Sequence, residues 1–133
     1  MMENLEELLS QVHTIAVLGA SPRPHKPAFF VPDYLHRAGY RVLPVNPVYL
    51  GQQLWDAPVV GHLSQVPEAI DLVNVFRRSE LLMGHLDDIL AARPKVVWLQ
   101  SGIQDEGFAA RLEAAGIAVV QNRCLMVEHR RRL

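Results

Sequence analysis

The sequence predicts an α/β protein of the Rossmann-like kind, with a mostly parallel sheet of five to six strands and helices on both faces. Three observations predict it. Short apolar runs rich in β-branched residues, such as Ile15-Ala16-Val17-Leu18 and Val96-Val97-Trp98-Leu99, alternate with amphipathic segments almost throughout. These runs are apolar at every position, as strands covered on both faces are. Each is followed by turn residues, and the stretches between them are long enough to hold crossover helices. The strand order expected is 3-2-1-4-5, with ligands bound at the carboxyl ends of the strands where the order reverses.

The elements follow in order. Residues 2–11 read as a short helix with Leu5, Leu8 and Leu9 on one face and Glu3, Glu6 and Glu7 near its positive end. The first strand, from Thr14, ends in Gly19-Ala20-Ser21-Pro22. Pro27 then suits the first position of a helix over 27–38, where its missing N–H costs nothing. Phe30, Tyr34 and Leu35 are its core candidates. Pro32 predicts a kink or a later start, and Gly39 a stop. Tyr40–Val45 is the second strand. Pro44 belongs where no partner needs its N–H. Asn46-Pro47 is a turn, and Trp55–Val60 offers a weak edge strand. Residues 63–68 suggest a single helical turn or a loop. Ile70–Phe76 is the next strand, followed by a helix with Ser79 as its N-cap that runs through Leu90 to Arg93-Pro94. Val96–Leu99 is a strand, 104–115 a helix ending at Gly116, and Ile117–Val120 the last strand. The expected domain is one unit of 133 residues, with an N-terminal helix within 1–12 and a C-terminal tail over 122–133.

Half of the residues are hydrophobic, enough for one real core. The net charge of -1 gives no global field toward nucleic acid or membrane. Arg130-Arg131-Arg132 is a single short run without interleaved aromatics and reads as a frayed tail. The acidic start is unlike a signal peptide, and no apolar run approaches a membrane span. With one cysteine, Cys124, no internal disulfide forms, and a cytoplasmic home is expected. The six histidines lack metal-ligand spacing, so no metal site is expected. Ser101 has no nucleophile-elbow frame, and no catalytic residue is assigned. Asp87 and Asp88 read as solvated charges on a helix face.

The chemistry gathers after the strands. Gly19-Ala20-Ser21-Pro22 follows the first, with Arg23, His25 and Lys26 close behind. Asn46-Pro47 follows the second, Phe76-Arg77-Arg78 the third, Gln100-Ser101-Gly102-Ile103 the fourth, and Asn122-Arg123-Cys124 the last. No carboxylate sits directly at a strand end. Glycines, amides, hydroxyls and cations there suit an anionic ligand, held by main-chain N–H groups at the first turn and by the positive end of the following helix. Only one glycine of a G-x-G-x-x-G frame is present, so the motif alone does not separate a nucleotide site from an ordinary βα turn. Asn46 stands where an NAD site usually has an acid for the ribose hydroxyls. A neutral residue there leaves NADP or another phosphorylated adenosine ligand open.

GASP at 19–22, VNP at 45–47, VFR at 75–77, WLQSGI at 98–103 and NRC at 122–124 together resemble the small stand-alone coenzyme A-binding proteins. Those are similar to the N-terminal domain of the succinyl-CoA synthetase alpha subunit. The resemblance spans about residues 13–129. It implies a Rossmann-like domain that binds coenzyme A or an acyl-CoA as a nucleotide-binding module. Carried over by position, it implies that Gly19, Ala20, Ser21 and Pro22 hold the pyrophosphate and Lys26 adds charge beside it. Val45, Asn46 and Pro47 would border the adenosine. Phe76 and Arg77 would flank the route from adenine to pantetheine. Gln100, Gly102 and Ile103 would line the pantetheine channel, with Asn122 and Cys124 near the thiol end. The synthetase's catalytic histidine lies in a second domain, which this sequence does not contain, so the resemblance carries binding and not ligation. The expectation is a binding or regulatory module without chemistry of its own. The alternatives are an NAD(P)-binding module and a CoA-using subunit of a split synthetase. Apolar residues near Tyr49, Leu50 and Trp55 allow a homodimer or an unknown protein partner without requiring either.

Overall fold

The computed structural model describes residues 4–132. The part of the first predicted helix before residue 4 lies outside the described residues. The chain begins with α1 (Leu5–Ser10) and β1 (Thr14–Leu18), then α2 (Pro27–Arg37) and β2 (Arg41–Val45). A two-residue hairpin, β3 (Gln53–Leu54) with β4 (Ala57–Pro58), follows. The second half runs β5 (Leu72–Val75), α3 (Leu86–Ala92), β6 (Val96–Leu99), α4 (Glu106–Ala114), β7 (Ala118–Val120) and α5 (Leu125–Arg132). The main sheet has the order β2-β1-β5-β6-β7, every pair parallel. This is the doubly wound order expected from the sequence. The chain builds outward from β1 to β2, returns, and builds the other way from β5, so the order reverses between β1 and β5.

The strand residues divide by alternation. Ile15, Val17, Leu72, Val96 and Trp98 pack with Leu5 and Leu9 of α1, Val31 and Leu35 of α2, and Leu125 of α5. Ala16, Leu18, Val73, Val75, Val97 and Leu99 pack with Leu86 and Ile89 of α3 and Phe108 and Leu112 of α4. Both faces are therefore dry. Among the described residues no helix is long and apolar enough to cross a membrane.

Several expectations are corrected. Helix α2 runs unbroken through Pro32. Proline leaves the carbonyl of Ala28, one turn earlier, without its helical donor. The N–H of Ser21 fills that place at 3.3 Å, so the loop after β1 takes up the bond that Pro32 cannot make. Phe30 is exposed, and its neighbour Phe29 packs on the core instead. The edge strand reduces to one parallel bridge, Val60 to Val45. Pro44 accepts from Val60 N–H at 3.2 Å on that outer side, where its own missing donor matters least. Trp55, expected among exposed apolar residues, is buried at the hairpin tip with its ring 5.9 Å from that of Phe29, while Leu50 is exposed. Residues 79–85 form a 3-10 stretch, and Ser79 Oγ accepts from Gln104 N–H at 3.0 Å rather than capping a helix. The expected C-terminal tail is helix α5. Its Glu128 is buried, with Arg132 at 2.6 Å, Arg131 at 3.8 Å and Arg123 at 4.0 Å. Two of the three terminal arginines thus neutralise a buried carboxylate. The helix is tied to α2 where the Tyr34 hydroxyl and His129 Nδ1 lie 2.7 Å apart.

Asp71, just before β5, fastens the amino end of the sheet. Its carboxylate accepts the N–H groups of His13 and Thr14 at 2.9 and 3.0 Å, with Lys95 Nζ at 3.5 Å. Burial opposes the charged form, but the two N–H groups and Lys95 outweigh it and hold the carboxyl below its ordinary value. A depressed native pKa stabilises the fold above the unfolded value, and the gain is lost as pH falls through the native one. Asp71→Ala is expected to cost about 2–3 kcal/mol at neutral pH. In urea titrations the gap between variant and wild type should close as the pH is taken below about 4.

Gly19 sets a second tight contact. Its φ is +92°, and a Cβ there would meet the carbonyl oxygen of Phe76 at 2.5 Å. Both terms penalise any side chain, so Gly19→Ala is expected to destabilise the protein by about 2–4 kcal/mol. A melt unchanged from wild type would contradict this reading.

Candidate functional site

The ends of β1, β2 and β5 enclose a cleft of about 190 Å³. Leu18, Gly19, Val45, Pro47 and Val48 give it an apolar floor and rim. Asn46, His62, Arg77, His85 and Asp88 are its polar groups, and Gly61 completes it. It lies where the strand order reverses, the place where open parallel sheets bind ligands. The topology accounts for that position. Close approach of Gly19 to the Phe76 carbonyl joins the ends of β1 and β5. The bridge from Val45 to Val60 brings Gly61 and His62 over the end of β2.

Of the residues singled out from the sequence, Gly19, Val45, Asn46, Pro47 and Arg77 line this cleft. Asn46 does so with its side chain already engaged. Its Nδ2 donates to Ala20 carbonyl at 2.8 Å, and its Oδ1 accepts from Val48 N–H at 2.9 Å. It shapes the rim by holding the two loops together.

The loop after β1 differs from the open cradle that its sequence suggests. Gly19 N–H donates to Val45 carbonyl at 2.9 Å and Ala20 N–H to the same oxygen at 3.4 Å. Ser21 N–H is held by Ala28 carbonyl, and Arg23 N–H by Ser21 Oγ at 3.1 Å. Pro22 and Pro24 have no N–H to give. Bare amides at this turn are therefore not what the structure presents. Ala20 is wholly buried and Ser21 nearly so. What the loop offers is the start of α2. Lys26 stands at its N-cap with no side-chain capping bond, and Arg23, His25 and Lys26 are all exposed. A helix end not capped by a side chain, with cations beside it, attracts anions.

The second group of candidates gathers at the ends of β6 and β7, where the residues largely bind one another. Gln100 is buried, and its Oε1 accepts from Leu125 N–H at 2.9 Å and from Asn74 Nδ2 at 3.3 Å. That pair of donors fixes its amide orientation, with Oε1 as the acceptor and Nε2 outside both bonds. Asn122 has a φ of 57°, and its Oδ1 accepts from Gly102 N–H at 2.6 Å. Asn122 N–H in turn meets Ile103 carbonyl at 3.1 Å. Cys124 is half-buried, next to the first turn of α5, and packs with the core on that face. Phe76 is half-buried on the same face, and its carbonyl is the atom that meets Gly19.

Sequence reasoning missed His62, His85 and Asp88. Asp88 reads as a solvated helix charge, yet its carboxylate accepts Leu63 N–H at 3.0 Å. Arg77 Nε donates to His85 Nε2 at 3.2 Å. His85 has its pKa held below the ordinary histidine value, first by burial and then by the adjacent Arg77. The eight-residue spacing of Arg77 and His85 spans a loop and a 3-10 stretch, which follow neither a helix nor a strand period, so no sequence pattern pairs them.

Comparison with known proteins bears on what the cleft holds. The chain is similar to the uncharacterized protein YneT of Bacillus subtilis strain 168, at 34% identity over 125 residues, covering 94% of this chain and 91% of that one. A solved Thermus thermophilus structure, cell-free ID.343, is 51% identical with a TM-score of 0.95, covering 97% of this chain and 96% of that one. A dinucleotide forming acetyl-coenzyme A synthetase 1 of Ca. Korarchaeum cryptofilum superposes at 26% identity with a TM-score of 0.71, over 87% of this chain but 27% of the synthetase. The model of a CoA binding domain matches residues 13–130, from the start of β1 into the last helix, so this chain belongs to the CoA-binding domain family.

Proposed function

We propose that the chain binds coenzyme A or an acyl-CoA across the carboxyl ends of its strands and performs no chemistry on it unaided. The observation that carries this reading is the coincidence of the family match over 13–130 with a cleft at the reversal of strand order. The adenosine phosphate end would enter the cleft, with Arg77 and Lys26 supplying charge. The pantetheine arm would run toward Gln100, Gly102 and Ile103, and the thiol toward Asn122 and Cys124. Three of the cleft's charged or titratable groups are engaged as hydrogen-bonding partners, Asp88 with a main-chain N–H and His85 with Arg77. That arrangement suits holding a ligand more than attacking one.

One observation favours a second reading. The synthetase that superposes here is a much longer chain, of which this fold covers 27%. A separate protein could supply the remaining parts, making this chain the CoA-using subunit of a split enzyme. The two readings share the ligand and differ in the need for a partner. CoA-dependent ADP release from ATP that appears only on adding cell extract would favour the split enzyme.

The ligand itself is tested by thermal shift with coenzyme A, acetyl-CoA, NAD, NADP, ADP and ATP. Coenzyme A at a hundred times its dissociation constant should stabilise the protein by about 2.7 kcal/mol, a rise of roughly 10 °C. A shift with NADP and none with coenzyme A would overturn the proposal. Arg77→Ala should weaken coenzyme A binding by about 10- to 100-fold, as loss of a charged hydrogen bond does. Lys26→Ala, at an exposed helix end, should weaken it by less than about tenfold.

A further inference from the structure

The cleft holds more titratable side chains than binding one anion through Arg77 requires. His62, Arg77, His85 and Asp88 all line it, and they come from three parts of the fold. His62 precedes the 3-10 turn at 63–65, Arg77 follows β5, and His85 and Asp88 come from the segment that leads into and through α3. The bond from Arg77 Nε to His85 Nε2 requires that nitrogen to be an acceptor. His85 is then the neutral tautomer with its proton on Nδ1.

The surroundings keep it neutral. His85 is half-buried, Arg77 and His62 disfavour a second proton, and Asp88 alone favours one. Asp88 is itself fixed by Leu63 N–H, so it cannot swing away or move closer without giving up that bond. A phosphate entering the cleft reverses the balance. It competes for Arg77 and adds negative charge beside the imidazole, and an opposite charge within a few ångströms favours the protonated form.

Resting on the coenzyme A reading of the same cleft, we propose that His85 is a proton-switched phosphate-binding residue. A phosphate-bearing adenosine ligand draws the Arg77 guanidinium onto itself. The released Nε2 of His85 takes one proton from solvent and becomes a second cationic contact, with Asp88 as its counter-charge. No bond to the ligand forms or breaks, and the charge balance is one proton taken up per His85 that titrates. Because the ligand raises the pKa of His85 above its value in the free protein, affinity gains as pH falls between the two values. The gain is lost as pH rises through the bound-state value.

Calorimetric titration with dephospho-CoA provides the test. Its diphosphate does not ionise between pH 6 and 8, whereas a phosphate monoester such as the 3′-phosphate of coenzyme A has a second pKa near ~6. Titrations in PIPES and in Bis-Tris, which differ in ionisation enthalpy, give the number of protons taken up. The wild type should take up roughly half a proton near pH 6.5 and bind about five- to tenfold more tightly at pH 6 than at pH 8. His85→Gln keeps an acceptor for Arg77 and cannot titrate. It should take up no proton and bind equally at both pH values, while His62→Gln should still take up the proton. Binding by the wild type without proton uptake would overturn the switch and leave the coenzyme A reading standing. So would uptake that persists in His85→Gln or vanishes only in His62→Gln. No binding of dephospho-CoA or coenzyme A at any pH would overturn both.

Discussion

The approach of Gly19 to the carbonyl of Phe76 is the constraint from which the rest of the site follows. At 2.5 Å from a Cβ position to a main-chain oxygen, no side chain fits between the ends of β1 and β5. β1 and β5, the neighbouring strands between which the order reverses, therefore come together beyond their paired ends just where the cleft begins. The same residue turns the chain at a positive φ and donates its N–H to Val45. One glycine thus permits the close contact beyond the paired ends of β1 and β5, directs the loop that follows, and ties β1 to the end of β2. In the usual nucleotide fold a glycine at this place lets the ligand approach the main chain. Here the atom that approaches is the protein's own carbonyl.

The loop from 19 to 26 is a consequence of Pro32 as much as of its own residues. A proline inside α2 leaves the Ala28 carbonyl without its helical donor, and Ser21 N–H supplies one. A main-chain N–H at the turn is thereby committed to the helix and not to a ligand. An anion drawn to this loop would then meet side chains, Lys26 at the start of α2 and Arg77 against Gly19. Interactions of that kind are more sensitive to salt and to protonation than a closed nest of amides. That is the physical setting in which a histidine beside Arg77 can matter.

The two ends of the sheet are built differently. At the amino end Asp71 binds two main-chain N–H groups and serves the fold alone. At the carboxyl end the polar groups join loops to one another: Asn46 joins the loops after β1 and β2, Gln100 holds the start of α5, and Asn122 holds Gly102. These bonds keep the rim in shape. The helix α5 secures this rim from behind. Its buried Glu128 is neutralised by Arg123 from the last loop and by the terminal arginines.

The sequence by itself determined the five strands of the main sheet, their order, and the cluster of turn residues at one rim. Those features follow from local alternation of apolar runs and turn residues, and alternation is a property of neighbours in the chain. It also brought Gly19, Val45, Asn46, Pro47 and Arg77 into one candidate site, because all five stand at or beside a strand end. Only the tertiary structure decided which of the rim's groups are occupied and which face the cleft. Ser21 N–H meets Ala28 because of a proline eleven residues on, and Asp88 meets Leu63 from a different segment. Arg77 meets His85 across a 3-10 stretch whose path depends on the helix it leads into. Such pairings depend on distances in space between segments of no common period, and a pattern read along the chain does not contain them.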